Sequence, residues 1–213
     1  MAAGALPAAR RARPSKAGLS KKGGTPASAV FLVGFMGAGK STVGQALGRH
    51  LDWVFEDLDE RIERREGRSV AEIFRDSGEE TFRQAERAAL REVLDELSTA
   101  IPRVVALGGG AFSKKENTTL LKAFSVPTIF LDAPVEELWQ RCNTQADEAG
   151  TQRPLLRSWE QFSELYKTRR RSYSKALLKI QTGSRPVKVI VDEIAEALGL
   201  RKIAARTEQG DVE

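Results

Sequence analysis

A glycine-rich segment that follows a short apolar run has the residue types that hold nucleotide phosphates. Residues 34–41 read GFMGAGKS and match the pattern G-x-x-x-x-G-K-[ST], although a glycine-rich turn before a helix is the alternative. Glycines let successive backbone N–H groups turn inward around phosphate oxygens, and the N-terminus of a following helix adds a favourable dipole. In this pattern the lysine contacts the β- and γ-phosphates and the hydroxyl ligates Mg²⁺. The predicted nucleotide-contacting residues are Gly37, Ala38, Gly39, Lys40, Ser41 and Thr42.

Two aspartates stand at the end of the second predicted strand. Asp57 and Asp59 are two residues apart, so both carboxylates point to the same side if the strand persists. Ligands of parallel sheets gather beyond the carboxyl ends of the strands. One carboxylate near Mg²⁺ and one near an acceptor hydroxyl would suit phosphoryl transfer, whereas a pair of solvated acids capping a helix is the alternative.

Three further segments carry side chains or turns that suit an acceptor site. Arg83 and Glu86 are three residues apart on a predicted helix and share a face, with a surface ion pair as the alternative interpretation. Three glycines, 108–110, follow the third predicted strand, where a ring could approach the backbone, or where the chain simply turns. Arg153 lies in a polar segment, 143–158, whose composition suits a mobile lid.

The elements that must position these residues alternate along the chain. Short apolar strands separated by helical patterns predict a parallel sheet covered by helices, in one domain over 29–200. A helix is predicted after Gly39, to about Leu51. A pair of helices is predicted after Asp59, where Ser69 and Glu72 form a capping-box pattern, and residues 79–97 carry a helical apolar stripe. Strands are predicted over 29–33, 53–57, 103–107, 127–131 and 179–183.

The charge of the chain is unevenly distributed. Its 213 residues include 34 basic and 29 acidic ones, a net charge of +5. Residues 1–28 hold six of the basic residues and no acidic one, which leaves 28 basic against 29 acidic residues elsewhere. A near-neutral folded part does not imply a nucleic-acid surface, and no apolar run approaches the roughly 18 residues of a membrane span. We therefore expect neither nucleic acid nor a membrane as a partner.

Cysteine and histidine usage restricts metal chemistry. Cys142 and His50 are the only residues of their types, so one chain cannot build a disulfide or a Cys/His metal site. Any metal must be held by oxygen ligands, and Cys142 is predicted to be a core residue and His50 to lie near a helix C-terminus. Residues 1–28 are predicted to be a disordered extension, in preference to an organelle transit peptide, and 201–213 a tail. The predicted location is the cytoplasm.

Six segments, taken together and in order, resemble shikimate kinase, a member of the nucleoside monophosphate kinase-like branch of P-loop proteins. The resemblance spans about residues 29 to 200. It implies a three-layer αβα fold with a five-stranded parallel sheet and a mobile lid. It also implies a monomer that transfers the γ-phosphoryl group of ATP, with Mg²⁺, to the 3-hydroxyl of shikimate in aromatic amino acid biosynthesis. The segments are GFMGAGKST, DLD (57–59), FRQAE (82–86), LGGGAF (107–112), RPLL (153–156) and RRRSY (169–173).

The resemblance implies a role for each acceptor-site residue. Asp59 binds the shikimate hydroxyls and accepts the proton of the attacked one. Arg83 and Arg169 clamp the substrate carboxylate, and Arg169 is chosen among three consecutive arginines because it stands four residues before Tyr173. The backbone contacts to the ring come from Gly108, Gly109 and Gly110.

The nucleotide side is implied in the same way. Lys40 contacts the phosphates, and Ser41 with Asp57 supports Mg²⁺, the aspartate through water. Arg153 stabilises charge on the transferring phosphoryl group from the lid. The resemblance places Arg141 where it would stack on the adenine, and Arg185 on the other side of the adenine pocket.

Two rival functions stay open. A related small-molecule kinase, such as a gluconate kinase, would share the phosphate loop, but the substrate arginines and the RPLL segment argue against it. A ligand-sensing module without catalysis is the rival of another class. A regulator of that kind would need a DNA-binding domain, which the short basic N-terminal stretch cannot form, and every mapped catalytic position holds a suitable residue.

Overall fold

A five-stranded parallel sheet lies at the centre of the protein, whose computed structural model describes residues 29–99, 101–149 and 158–202. The strand order is β2-β3-β1-β4-β5, so β1 is central and β2 and β5 are the edges. The strands are β1 (Ala29–Val33), β2 (Val54–Asp57), β3 (Arg103–Ala106), β4 (Thr128–Asp132) and β5 (Leu178–Gln181).

Helices connect the strands and cover both faces of the sheet, which confirms the predicted three-layer arrangement. Two short 3₁₀ turns, Glu96–Thr99 and Ala111–Ser113, precede β3 and follow it. The helices are α1 (Lys40–Leu51), α2 (Leu58–Glu66), α3 (Val70–Asp95), α4 (Lys115–Ala123), α5 (Val135–Ala149), α6 (Trp159–Tyr173) and α7 (Val187–Leu198).

The inner strands explain why the functional segments meet. Every residue of β1, β3 and β4 is buried, as expected for strands of a parallel sheet that carries helices on both faces. Because all five strands are parallel, their carboxyl ends lie at the same edge of the sheet. The phosphate loop after β1, the aspartates after β2 and the three glycines after β3 therefore come together.

The predicted helices are present, and the structure joins two of the predicted helical segments into α3. The capping box at Ser69 and Glu72 is present at the start of α3. The apolar stripe predicted from residue 79 continues the same helix, and the break between the two parts is at Gly78, whose φ of 80° is in the left-handed region. Cys142 is buried and His50 lies in the last turn of α1, as predicted.

Strand ends differ from the prediction by one or two residues. The fifth strand ends at Gln181 instead of residue 183 because Thr182 turns toward the phosphate loop and donates its hydroxyl to the Ala38 carbonyl, 3.2 Å away. Gly183 then passes so close to Pro134 that a Cβ would lie 2.7 Å from it. None of the helices in the described ranges is long and apolar enough to cross a membrane.

Candidate active site

A cavity of about 430 Å³ opens at the carboxyl edge of the sheet, between the phosphate loop and the glycine turn after β3. Acidic and basic side chains face each other across it. The predicted site residues that line it are Gly37, Gly39, Lys40, Ser41, Thr42, Asp57, Asp59, Arg83, Gly108, Gly109, Gly110 and Arg169.

The phosphate loop is shaped for an anion. Gly37 and Gly39 have φ values of 76° and 87°, a left-handed conformation that residues with a Cβ rarely adopt. Gly39 also caps α1 without a side-chain acceptor, so the first N–H groups of the helix can bind phosphate oxygens. The Lys40 Nζ folds back over the loop and donates to the Gly34 and Phe35 carbonyls at 3.1 and 3.2 Å.

Burial of Lys40 lowers the pKa of its ammonium, while the nearby carboxylates of Asp59 and Asp57 oppose that effect. The two acids offset the charge of the ammonium, and the Gly34 and Phe35 carbonyls occupy its donors. A phosphate group can bind Nζ where its oxygens replace those carbonyls. The lysine is therefore placed to exchange two backbone acceptors for phosphate oxygens.

Ser41 and Asp57 are brought together from two different strand ends. The Ser41 Oγ donates to Asp57 Oδ2 at 3.0 Å, and Asp57 Oδ1 accepts from the backbone N–H of Asp59 at 3.0 Å. The strand ends at Asp57, as predicted, and does not persist to Asp59, the condition for a shared strand face, because Asp57 caps helix α2, which begins at Leu58. Both acids nevertheless line the same cavity, since Asp59 lies in the first turn of that helix.

Asp59 occupies the most unusual environment in the site. Its Oδ1 is buried and has no hydrogen-bond partner among the described residues. A Cβ at Gly108 would lie 2.6 Å from that oxygen, so only glycine leaves room for the carboxylate. Burial, and next the Asp57 carboxylate, raises the pKa of Asp59 to about 6, against the opposing charge of Lys40. Such a carboxylate is ionised at neutral pH yet binds a proton readily.

This raised pKa has a consequence for stability. The folded state binds a proton on Asp59 more tightly than the unfolded chain, whose ordinary value is 3.8. Ionised Asp59 therefore costs stability that accumulates as pH rises from about 4 through 6, and the cost is absent below pH 4. Relative to Asp59→Asn, the wild type should lose about 2 to 3 kcal/mol of unfolding free energy between pH 4 and pH 7. Urea unfolding of both proteins at the two pH values measures this difference, and parallel pH dependences would contradict it.

Arg83 and Glu86 form a buried pair, not the surface pair that was the alternative interpretation. Glu86 is 1% exposed and accepts from Arg83 Nη1 at 3.0 Å, and Asn117 Nδ2 adds a contact at 3.3 Å. Burial raises the pKa of Glu86 against the opposing effect of Arg83. A Cβ at Gly110 would lie 2.8 Å from Arg83 Nη2, so the guanidinium lies directly against the glycine turn.

Sequence reasoning did not assign Glu86 to the site, although one signal was present. Glu86 falls on the inward stripe of α3, four residues after buried Phe82 and three before buried Ala89. A carboxylate on an apolar stripe requires a partner, and Arg83 on the same face supplies it. Two phenylalanines also line the cavity, Phe74 and Phe82, whose ring centres are 4.5 Å apart.

Of the three consecutive arginines, only Arg169 lines the cavity. Its Cζ lies 5.8 Å from the centre of the Phe35 ring, and a Cβ at Gly109 would lie 3.3 Å from its Nη1. Arg170 pairs with Asp132, and Arg171 is exposed. Arg169, which was chosen because it stands four residues before Tyr173, is thus the arginine that lies at the cavity.

The arginines predicted at the adenine do not line this cavity. Arg141 donates to the Gly37 carbonyl at 3.1 Å and to the Thr182 carbonyl at 3.0 Å, which joins the loop after β5 to the phosphate loop. Arg185 donates to the Gln181 carbonyl at 2.9 Å and pairs with Glu193 at 2.6 Å. Both guanidinium groups are thus held by protein acceptors.

The predicted lid is only partly within the described ranges. Residues 143–149 continue helix α5, and Ser158 caps helix α6 by accepting from the Gln161 N–H. Arg153 and the rest of its segment, 150–157, lie outside the described residues, as do residues 1–28 and 203–213.

Comparison with known proteins identifies relatives over most of the chain. The family model for shikimate kinase matches residues 36–199. The shikimate kinase of Aquifex aeolicus is 37% identical over 169 residues, 79% of this chain and 95% of that protein. A shikimate kinase structure from Acinetobacter baumannii in complex with shikimate has a TM-score of 0.70 at 33% identity, covering 80% of this chain and 92% of that one. A gluconokinase from Sinorhizobium meliloti, at 17% identity and TM-score 0.50 over 82% of this chain and 92% of that one, shares the fold alone.

Proposed function

This chain belongs to the shikimate kinase family, and from that premise we propose that it transfers the γ-phosphoryl group of ATP to the 3-hydroxyl of shikimate. The observation that carries the proposal is the buried Oδ1 of Asp59, which has no partner among the described residues and lies in the cavity that contains the phosphate loop. An oxygen of this kind is suited to accept a hydrogen bond from a substrate hydroxyl.

The donor side uses the phosphate loop. Lys40 and the N–H groups at the start of α1 hold the phosphates of ATP, and the lysine offsets charge on the transferring group. Transfer is favoured by positioning the donor and acceptor in line within one cavity, since phosphoryl transfer needs little covalent help from the protein.

Mg²⁺ fits the oxygen ligands beside this loop. Ser41 Oγ and Asp57 Oδ2 lie 3.0 Å apart and would hold the ion, directly or through water. Within the described ranges no three His, Cys, Asp or Glu side chains form a metal-binding group, so nucleotide phosphates would complete the ligand set. When bound, Mg²⁺ supplies charge compensation for the phosphates.

The acceptor side combines one carboxylate with two guanidinium groups. Arg83 from α3 lies against Gly110 and Arg169 from α6 against Gly109, so two helices direct their cations to neighbouring residues of one turn. The planar guanidinium fork matches a carboxylate, and two forks converging on one turn would clamp the carboxylate of shikimate. Asp59 would then contact the ring hydroxyls and accept the proton of the attacked one, for which a pKa of about 6 is suitable.

The family resemblance supports the roles proposed for three further arginines. Arg153 would stabilise the transferring phosphoryl group from the segment predicted as a lid, and Arg141 and Arg185 would border the adenine. The chain would act as a monomer. The cytoplasmic location stays a prediction.

A coupled ADP-release assay tests the proposed function. With Mg-ATP, purified protein should release ADP when shikimate is added and only slowly without it. Gluconate at the same concentration should give no release above that background. A chain that turns over gluconate instead, or that binds shikimate without releasing ADP, would support one of the two rival functions.

Substituting Arg83 distinguishes the carboxylate clamp from a packing role. Arg83→Lys keeps a positive charge beside buried Glu86 but loses the fork, so the KM for shikimate should rise about tenfold or more while the KM for ATP changes little. Arg87→Lys, one turn further along the same helix at an exposed position, is the matched control. Steady-state kinetics with each substrate varied gives both constants, and equal effects of the two substitutions would contradict the clamp.

A further inference from the structure

We propose that Asp132, at the end of β4, is a positioning residue for substrate binding, because its carboxylate sets the rotation of helix α6 and thereby directs Arg169 into the cavity. The inference rests on the proposed function, since it gives Arg169 the task of binding the substrate carboxylate. Asp132 itself does not line the cavity.

The Asp132 carboxylate is a buried anion that faces three charged or hydroxyl donors. The residue is 4% exposed, and its Oδ1 accepts from the Tyr166 hydroxyl at 2.9 Å. Its Oδ2 accepts from Arg170 Nη2 at 3.0 Å and lies 2.7 Å from Lys179 Nζ. Burial alone would raise the pKa of Asp132, but the hydrogen bonds from these three donors lower it overall. The carboxylate is therefore ionised at neutral pH, and breaking its contacts leaves a buried charge without compensation.

Two of the three donors lie on α6, one turn apart. Tyr166 and Arg170 are four residues apart and share a helix face, so Asp132 contacts that face at two levels. A helix held at two levels of one face cannot rotate about its axis without breaking both contacts. At about 100° per residue, Arg169 is about 100° around the helix from Arg170 and about 60° from Tyr166, so it lies to one side of the face that Asp132 holds.

The face that carries Arg169 is directed at the glycine turn. Tyr173, four residues further along on that face, donates its hydroxyl to the Gly109 carbonyl. Arg169 also lies over the Phe35 ring, which packs edge-on against the ring of Tyr166 at 5.5 Å. The contacts that hold Tyr166 thus also support the surface on which the Arg169 guanidinium rests.

The charge of Asp132 also favours the entry of one of the three consecutive arginines, 169–171, into the cavity over the other two. Three adjacent arginines could each enter the cavity if α6 rotated, and all have the same fork. Because Arg170 pairs with the buried Asp132 carboxylate, the observed rotation of α6 has a contact that other rotations of the helix lack. The carboxylate therefore selects which arginine meets the substrate.

The effect should be confined to the acceptor. Thr182, which also contacts the phosphate loop, binds the main chain of Asp132: its N–H donates to the Asp132 carbonyl at 2.7 Å. Exchanging the carboxylate for an amide leaves that bond in place. The substitution should therefore change the KM for shikimate without a comparable change in the KM for ATP.

The experiment compares three α6-linked variants with one control. Asp132→Asn and Arg170→Met should each raise the KM for shikimate, the first by about tenfold and the second less, because Arg170 is 43% exposed at its side chain. Arg170→Lys should recover part of the loss. Arg171→Met, an exposed neighbour, should leave both KM values unchanged. The readouts are ADP-release kinetics with each substrate varied, calorimetric titration with shikimate, and the melting temperature of each variant.

A double-mutant cycle with Arg169→Met separates positioning from general destabilisation. In the Arg169→Met background, Asp132→Asn should no longer weaken shikimate binding, because the group that it positions is absent. If Asp132→Asn lowers the melting temperature but leaves the KM for shikimate unchanged, or if its effect persists in full without Arg169, the inference is wrong. If Asp132→Asn fails to fold, Arg170→Met in the same cycle decides.

The proposed function can fail separately. Absence of shikimate-dependent ADP release from the wild type would overturn the function itself. A normal KM for shikimate in Arg169→Met would overturn the role of that arginine and, with it, the inference. A raised KM in Arg169→Met together with an unchanged one in Asp132→Asn would overturn only the positioning role of Asp132.

Discussion

Asp59→Asn should lower kcat for transfer to shikimate by about a thousandfold while shikimate still binds. Asparagine has the same shape beside Gly108 and can still hydrogen-bond a hydroxyl, but it cannot accept a proton in the transition state. The loss should therefore appear in kcat more than in binding. Rapid-mixing or steady-state ADP release gives kcat, and calorimetric titration with shikimate gives the affinity.

The pH profile provides a second readout of the same residue. Wild-type kcat/KM should rise as pH increases through about 6, where Asp59 becomes ionised in the free enzyme, and be level above that. The residual activity of the asparagine variant should lack this rise. Asp95→Asn, the same exchange at an exposed acid of helix α3 that does not line the cavity, is the control and should keep wild-type kcat and profile. Near-normal turnover in Asp59→Asn would show that Asp59 does not accept the proton.

Lys40→Met should lower kcat/KM for ATP by about a thousandfold, because one preorganised donor to the transferring phosphate is worth about 10²- to 10³-fold and the lysine also holds the ground-state phosphates. Methionine keeps the length of the side chain without its charge. Since burial already disfavours the ammonium, the fold should tolerate the change, and the melting temperature should not fall greatly. Nucleotide-binding titrations and ADP release together measure the loss.

The same substitution should also move the pH profile. Lys40 is the positive charge that holds down the pKa of Asp59, so its removal should shift the acidic limb of the residual activity to higher pH. Lys114→Met removes a lysine that pairs with Glu79 outside the phosphate loop and serves as the charge-matched control. Retention of full activity by Lys40→Met, or loss of the same size in Lys114→Met, would contradict the role given to Lys40.

The phosphate loop was predictable because its chemistry is local. Eight consecutive residues supply the glycines, the lysine and the hydroxyl, and the strand and helix on either side follow from the adjoining pattern. The parallel sheet was equally predictable, since alternating apolar runs and helical stripes allow few other folds. The exact ends of the strands were less predictable, because they depend on contacts between residues far apart in sequence, such as that of Thr182 with Ala38.

The two aspartates line one cavity, as expected, although the geometry expected from their spacing is not the one observed. Their spacing suggested a shared strand face, whereas Asp57 ends the strand and caps the helix that carries Asp59. Both interpretations place the carboxylates at the same edge of the sheet. The pKa of Asp59 follows from neither, because it depends on Gly108, Lys40 and Asp57 enclosing the carboxylate.

By itself, the sequence determined a parallel α/β sheet and predicted a phosphate-binding loop at residues 34–41, and its ordered motifs indicated the acceptor. The tertiary structure decided which polar groups are buried and which face the cavity. Glu86 is buried beside Arg83, and Arg169 lines the cavity whereas Arg170 pairs with Asp132. The physical reason is that burial and rotation depend on partners distant in the chain, and no local spacing contains that information. The phosphate loop is the proposed donor site, and the packing of α3 and α6 around three glycines forms the proposed acceptor site.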